Sequence, residues 1–167
     1  MSAQAGEIAH DLLNRLGAAL DDRAWDVWLD LYHEDAVYRV PAWRDEDTET
    51  SNPDREISQI YHDRRAGLAE RVARVRSGQS VTALPLPRTT HFTSNIAASV
   101  TAGNPDTINA RASAMVHVYQ PRSGLQYVNF GYYELALIAV GGSWRVARHV
   151  IHLKNDCVPA LIDFYTL

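Results

Sequence analysis

The sequence predicts an α+β fold in a single domain, residues 1–167, with helices gathered in the first half and packed against one face of a mostly antiparallel sheet. Two observations carry this expectation. Apolar residues recur at helical spacing in the first part of the chain, whereas from Arg88 onward it is rich in Thr, Val, Ile, Tyr and Phe. The second part is also punctuated by short glycine or proline breaks, and short connections imply antiparallel neighbours.

Ile8, Leu12, Leu16 and Leu20, with Leu13 beside them, put one apolar stripe on a first helix over about residues 5–20. Asp21 and Asp22 look like a stop and a new cap, and Trp25, Trp28, Leu29 and Tyr32 carry a second helical period. The alternation in AVYRVP places a strand over 36–41, followed by a long loop with a turn signal at Asn52-Pro53. A short extended piece is expected at 58–61, then a helix over about 63–76 with Leu68, Val72 and Val75 as its apolar positions. Strands are expected over 89–101, 107–119, 126–140 and 143–153. The breaks between them are Gly103-Asn104-Pro105, Pro121-Arg122-Ser123-Gly124 and Gly141-Gly142, the last a tight hairpin. Trp25 and Trp28 share a helical face, and strand alternation puts Trp144, Val146, Val150 and His152 on one face, so core packing accounts for these aromatics.

Composition narrows the function classes. A chain of 167 residues, 46% hydrophobic and 22% charged, suits one ordinary globular core. A net charge of -4 argues against a nucleic-acid-tracking surface, which needs a surplus of clustered cations. The single cysteine, Cys157, excludes an intrachain disulfide and fits a reducing compartment, so the cytoplasm is the expected location. Glu7, His10, Asp11 and Arg15 interrupt the apolar positions near the N-terminus, which argues against a signal peptide. No stretch approaches the roughly 20 apolar residues of a membrane span, so no membrane partner is expected.

The densest functional signal lies in residues 41–77. Asp45, Glu46, Asp47, Glu49, Asp54 and Glu56 pass directly into a segment carrying Arg64, Arg65, Arg71, Arg74 and Arg76. Such adjacent charge fields read either as an acidic solvated loop beside an amphipathic helix, or as an interaction surface in which matched potentials select a partner. Arginine favours interfaces because its planar fork binds carboxylates bidentately. Trp43, between a strand end and the acidic loop, has the amphipathic ring of an interface anchor. The candidate interface residues are therefore Trp43, Asp45, Asp47, Arg55, Arg64, Arg71, Arg74 and Arg88, with several of the arginines expected to engage acids of neighbouring chains or of the acidic loop. The C-terminal run from Leu161 to Tyr165 is too apolar for a loose tail and is expected to dock on its own core or on a partner.

The order of these residues carries a resemblance. The relevant words are PAW at 41–43, the Asp-rich turn with Asp45 and Asp47, REIS at 55–58, Ile60-Tyr61, Arg64, Gly67-Leu68, and Arg71-Val72 with Arg74 and Arg76. RTTHFTSN at 88–95 and LKND at 153–156, followed by Ile162-Asp163 and Tyr165, agree with them. Together they resemble the small, or beta, subunit of Rieske-type aromatic-ring-hydroxylating dioxygenases, most closely the branch acting on benzoate, toluate and anthranilate. The likeness covers roughly residues 20–167 and is weakest across about 97–145. It implies a cone-shaped, cystatin-like fold shared with nuclear transport factor, scytalone dehydratase and ketosteroid isomerase. It also implies a non-catalytic subunit: a homotrimer of small subunits supporting three large, or alpha, oxygenase subunits. In that picture the large subunit holds the Rieske iron-sulfur cluster and a mononuclear non-haem iron, and a reductase delivers electrons from NADH.

The residues themselves offer little for chemistry of their own. A Rieske cluster needs two cysteines and two histidines, and one cysteine cannot supply them. A mononuclear iron needs two histidines and a carboxylate converging on one point. His149 and His152 are three apart on a strand and face opposite ways, His62 and Asp63 diverge, and His10 and His33 lie on or just beyond amphipathic helices. No catalytic, cofactor-binding or metal residue is therefore expected. His91 stands among Thr89, Thr90, Thr93, Ser94 and Asn95, so it either satisfies a buried polar network or serves as a general base inside the cone with His117 and Asp30 or Asp35. The second reading makes the chain a stand-alone dehydratase or isomerase, and a carrier of an aromatic ligand is a further alternative.

Overall fold

In the computed structural model, which describes residues 2–79 and 84–167, three helices precede most of the sheet. The chain runs through α1 (Ser2–Asp21), α2 (Trp25–Asp30), β1 (Tyr32–Pro41), β2 (Ser58–His62) and α3 (Arg65–Arg76). It continues through β3 (Arg88–Thr101), β4 (Asn104–Tyr119), β5 (Gln126–Val140), β6 (Ser143–Leu153) and a closing 3-10 turn at Phe164–Thr166. The strands form one sheet in the order β2-β1-β6-β5-β4-β3. α1 buries Ala5, Ala9, Leu12, Leu13, Leu16, Ala19 and Leu20, and packs mainly against β3. Each buried leucine contributes roughly 2 kcal/mol of transfer free energy, and the interleaved alanines let the helix approach the sheet closely.

β4 shows the alternation that sets the two faces. Ile108, Ala110, Ala112, Ala114, Val116 and Val118 are buried, while Arg111, Met115 and His117 face outward. The expected strands at 126–140 and 143–153 match β5 and β6, joined at Gly141 and Gly142, whose φ values of 58° and 80° suit a turn that glycine alone makes without strain.

Three expectations are corrected. Tyr32 is not on the second helix; it opens β1, whose start lies before the expected residue 36. The reason is tertiary: Val146 N–H donates to Leu31 O at 2.8 Å and Tyr32 registers with Val146, so sheet pairing overrides a local helical period. That pairing also makes β1 parallel to β6, the one parallel pair among the described strands. Third, Trp144 and Val146 do not share a face with Val150 and His152. The register steps from Leu137↔Val146 to Ala136↔Arg148, so Ala147 is an extra residue that inverts the side-chain alternation. His149, Ile151 and Leu153 thereby join Val146 on the buried side.

After β6 the chain returns between helices and sheet. Phe164 is fully buried, stacks on Trp28 at 4.7 Å and meets Trp25 edge-on at 5.3 Å. Asp163 initiates the turn by accepting the Phe164 N–H at 2.8 Å, and Leu167 is also buried. Of the C-terminal run, Asp163, Phe164 and Tyr165 dock on the chain's own core, whereas Leu161 stands 66% exposed. Phe164→Ala should destabilise the chain by about 3–5 kcal/mol through lost burial and the cavity left behind. Urea unfolding measures this, and a loss below about 1 kcal/mol would show that the ring does not hold the core.

Candidate subunit interface and the cone interior

The acidic loop between β1 and β2 is fastened from within. Arg39, which sequence reasoning passed over as one residue of an alternating strand, is 7% exposed and directs its guanidinium under the loop. It donates to Thr50 O at 2.6 Å, Ser51 O at 2.7 Å and Ser58 Oγ at 3.1 Å. Glu56 accepts from the backbone N–H of Ser51 at 2.7 Å and Asn52 at 2.8 Å, and forms an ion pair with Arg44. Trp43 is half-buried: its Nε1–H donates to Leu153 O at 2.8 Å, and Lys154 lies over its ring at 5.8 Å. The tip stays exposed. There Asp45 accepts the Asp47 N–H at 3.0 Å, and backbone hydrogen bonds of this kind hold the Asp45 carboxyl below its usual range.

The arginines divide into two groups. Arg71 is engaged within its own chain, donating to Asp163 at 2.9 Å and to His62 at 2.8 Å. Burial first, and then the Arg71 charge, lower the pKa of His62. Within its own chain Arg71 is thus committed to Asp163, which is only 7% exposed, and a buried carboxylate requires a paired cation. By contrast Arg55, Arg64, Arg74 and Arg88 are exposed. Arg64 makes only a 3.6 Å contact with exposed Asp63, and Arg88 lies 5.7 Å from the Tyr119 ring centroid.

Inside the cone, side chains replace a pocket. Trp28, Tyr32, Tyr38, Tyr133, His149 and Leu167 line a void of about 20 Å³, far below the roughly 300 Å³ or more of ligand pockets. The Tyr32 hydroxyl and His149 Nδ1 are hydrogen-bonded at 2.8 Å, and His149 Nε2 is buried with no hydrogen-bond partner among the described residues. Burial pushes the His149 imidazole down to about 3, so it is neutral near pH 7.

His91 sits at the edge of this interior with both ring nitrogens engaged, Nδ1 to Asp21 at 2.5 Å and Nε2 to Leu167 O at 3.2 Å. Burial works against the Asp21 charge, but hydrogen bonds from His91 outweigh it and hold the carboxyl below its usual value. The general-base grouping does not come together. His117 faces outward on β4, Asp30 pairs with Arg65 at 3.8 Å, and Asp35 lies exposed beside His33. His149 and His152 occupy opposite faces as the odd spacing requires; His152 stacks on Tyr132 at 4.4 Å and bonds Glu49 at 2.5 Å.

The described residues do not fit an iron centre. Cys157 is exposed on the segment after β6, and a Rieske cluster requires two such thiolates. His33, Glu34 and Asp35 bring ligand-type atoms within 4.8 Å of one another, but they are consecutive at the start of β1, and His33 Nδ1 already accepts the Asp35 N–H at 3.2 Å. Among the described residues no helix is long and apolar enough to cross a membrane.

An α+β cone filled by its own aromatic residues, with its free charge on the outer surface, defines a cystatin-like scaffold. An NTF2-like protein with a cystatin-like fold from Novosphingobium aromaticivorans superposes with a TM-score of 0.63 over 93% of this chain and 85% of that one, at 20% identity, a likeness of fold alone. The chain belongs to the ring hydroxylating beta subunit family, whose model matches residues 17–160. It is 33% identical over 165 residues to the anthranilate 1,2-dioxygenase small subunit of Acinetobacter baylyi, covering 99% of each. The crystal structure of the beta subunit of benzoate 1,2-dioxygenase from Burkholderia mallei has a TM-score of 0.77 and 31% identity, with 95% of each chain covered.

Two outcomes are expected from this geometry. Arg71→Met should lower stability by about 3 kcal/mol by stranding the Asp163 carboxylate, and the loss should appear in unfolding of the isolated chain. If unfolding is unchanged and only assembly suffers, Arg71 is an interface residue after all. For His149, the unfolded imidazole titrates near 6.5 and the folded one at about 3, so the unfolded chain holds the extra proton between those values. Stability is complete above about pH 6.5 and falls as pH drops toward 3, by up to roughly 1.4 kcal/mol per unit. His149→Asn should flatten the slope by about one proton in urea unfolding between about pH 4.5 and 7.5; equal slopes would contradict the assignment.

Proposed function

We propose that the chain is the non-catalytic small subunit of the terminal oxygenase of an aromatic-ring-hydroxylating dioxygenase, working in cis-dihydroxylation of an aromatic acid such as benzoate, anthranilate or toluate. The observation that carries this reading is the filled cone. A fold that elsewhere can hold a ligand has its interior occupied by Trp28, Phe164 and Leu167, and family membership supplies the role that remains. The large subunit supplies the Rieske cluster, the non-haem iron and the substrate pocket, and a reductase brings electrons from NADH. Three small and three large subunits form the assembly in the cytoplasm.

Within it, Trp43, Asp45, Asp47, Arg55, Arg64, Arg74 and Arg88 are the contact residues of the 41–77 segment and its neighbour β3. The exposure of the acidic tip and of these four arginines supports that role. An exposed charge contributes little alone, but opposed charge fields orient partners and speed their encounter.

The test is reconstitution. The purified chain alone should turn over no aromatic acid and carry no iron. Co-expressed with a Rieske-type large subunit from the same genome, it should co-purify and give oxygenase activity with reductase and NADH. Turnover of a substrate by the lone chain, lost in His91→Ala, would overturn the reading in favour of a cone-fold dehydratase or isomerase.

A further inference from the structure

Outside the cone interior, one cavity joins an apolar wall to an uncommitted cation. It lies between the last turn of α3, the segment leading into β3 and the segment after β6, and its volume is about 280 Å³. The void inside the cone holds about 20 Å³, whereas this cavity comes close to the roughly 300 Å³ at which ligand pockets begin.

Val75, Leu84, Leu86, Leu161 and Ile162 form its walls. Leu84 is 40% and Leu161 66% exposed, so two of these side chains stand open to water beside the cavity. An apolar ligand laid against them removes that surface from water.

The polar groups at the cavity are few and convergent. Arg71 and Asp163 border it but are engaged with each other at 2.9 Å, and together they add no net charge. Arg74, about one turn further along α3, lines the same space, is exposed and makes no ion pair among the described residues. Tyr165, only 5% exposed, borders the cavity from the closing turn, and its hydroxyl makes no hydrogen bond among the described residues. Burial, and then the Asp163 carboxylate, push that hydroxyl up to about 12 while the Arg74 charge works the other way, so it is protonated near pH 7 and stands near the guanidinium. A guanidinium with a free fork beside a hydroxyl donor suits a carboxylate, because arginine binds that group bidentately. The wall requires that the rest of the ligand be apolar, since the hydroxyls of a sugar acid would find no partner among leucine, valine and isoleucine.

We propose that this cavity binds a small aromatic carboxylate: Arg74 holds the carboxylate, Tyr165 donates its hydroxyl to it, and the ring lies among Val75, Leu84, Leu86, Leu161 and Ile162. The geometry selects an apolar acid of about one ring; the proposed function, on which the inference rests at this point, makes that acid aromatic. The walls belong to α3 and to the segment that the Arg71 and Asp163 pair fastens to it. A bound acid therefore ties the same two elements together a second time and stabilises the folded chain by mass action.

Methyl NMR and thermal unfolding of the purified full-length chain with benzoate test it, in the absence of any subunit that could compete for Arg74. Benzoate should bind with a Kd of about 1 mM or tighter, shift the methyl resonances of Val75, Leu84, Leu161 and Ile162, and raise the melting temperature with concentration. Arg74→Gln should weaken binding about ten-fold or more, and Tyr165→Phe and Leu161→Ser about three-fold each. Arg74 and Leu161 are exposed, so these two variants should melt as the unaltered chain does without ligand. Arg15→Gln, at an exposed arginine of α1, should leave binding unchanged. Benzamide, which carries no charge, and hexanoate, which carries no ring, should both bind more weakly than benzoate. No saturation by about 10 mM benzoate, full binding by Arg74→Gln, an equal loss in Arg15→Gln, resonance shifts confined to the cone interior, or tighter binding of hexanoate or benzamide would each overturn the proposal. Reconstitution keeps the two readings apart. A chain that joins a large subunit in turnover but binds no benzoate alone leaves the proposed function standing and the inference failed; one that binds benzoate as expected but joins no large subunit gives the reverse.

Discussion

The pairing of Arg71 with Asp163 fixes the course of the segment after β6, and much of the interior depends on it. Asp163 binds the α3 guanidinium at 2.9 Å and caps the turn that follows through the Phe164 N–H at 2.8 Å. Once the turn is set, Phe164 has one place to go, against Trp28. Trp28 in turn meets Tyr32 at 5.0 Å and Tyr38 at 6.3 Å, so α2, β1, α3 and the C-terminal segment share one aromatic cluster. A carboxylate this deeply placed would be costly alone. Here it works as a latch because its partner comes from a different element.

A closed interior decides what chemistry is left to the chain. Polar groups inside it survive by being neutral or by being paired, as His149 is with the Tyr32 hydroxyl and His91 with Asp21. Ordered networks of this kind rigidify a core, and His91, engaged at both ring nitrogens, has no uncommitted nitrogen to offer a substrate. Apart from Arg39 and the Arg71–Asp163 pair, formal charge lies mostly on the loop, the helix and the outer sheet face. The molecule is built to present a surface.

Local signals were legible in the sequence and long-range ones were not. The four-residue leucine spacing of α1, the Gly141-Gly142 turn and the ends of β5 and β6 follow from periodicity and turn chemistry within a few residues. Tyr32 entering β1, the parallel β1 and β6 pair and the Ala147 bulge arise from partners far along the chain, which no local pattern records. The same holds for the site. Composition located the charges around residues 41–77, yet it could not show that Arg71 belongs to Asp163 or that Arg39 is a buried support. Arg39 left one trace: an arginine at a position in AVYRVP between apolar neighbours is unusual enough to ask what it bonds. The family, in contrast, was readable because short words in a fixed order survive where pairwise contacts are invisible.

The parallel pairing of β1 with β6 sets an order of events during synthesis. β1 emerges from the ribosome early, but Tyr32 pairs with Val146 and Arg39 with Val150, near the other end of the chain. The β3–β6 meander is made of adjacent hairpins and can assemble as it appears, whereas β1 and β2 must wait with one edge unpaired until β6 exists. Even then the aromatic cluster stays open until Phe164 arrives. Arrival of Phe164 is thus the step that closes the fold, so a product cut short before it leaves its apolar residues available to chaperones and proteases.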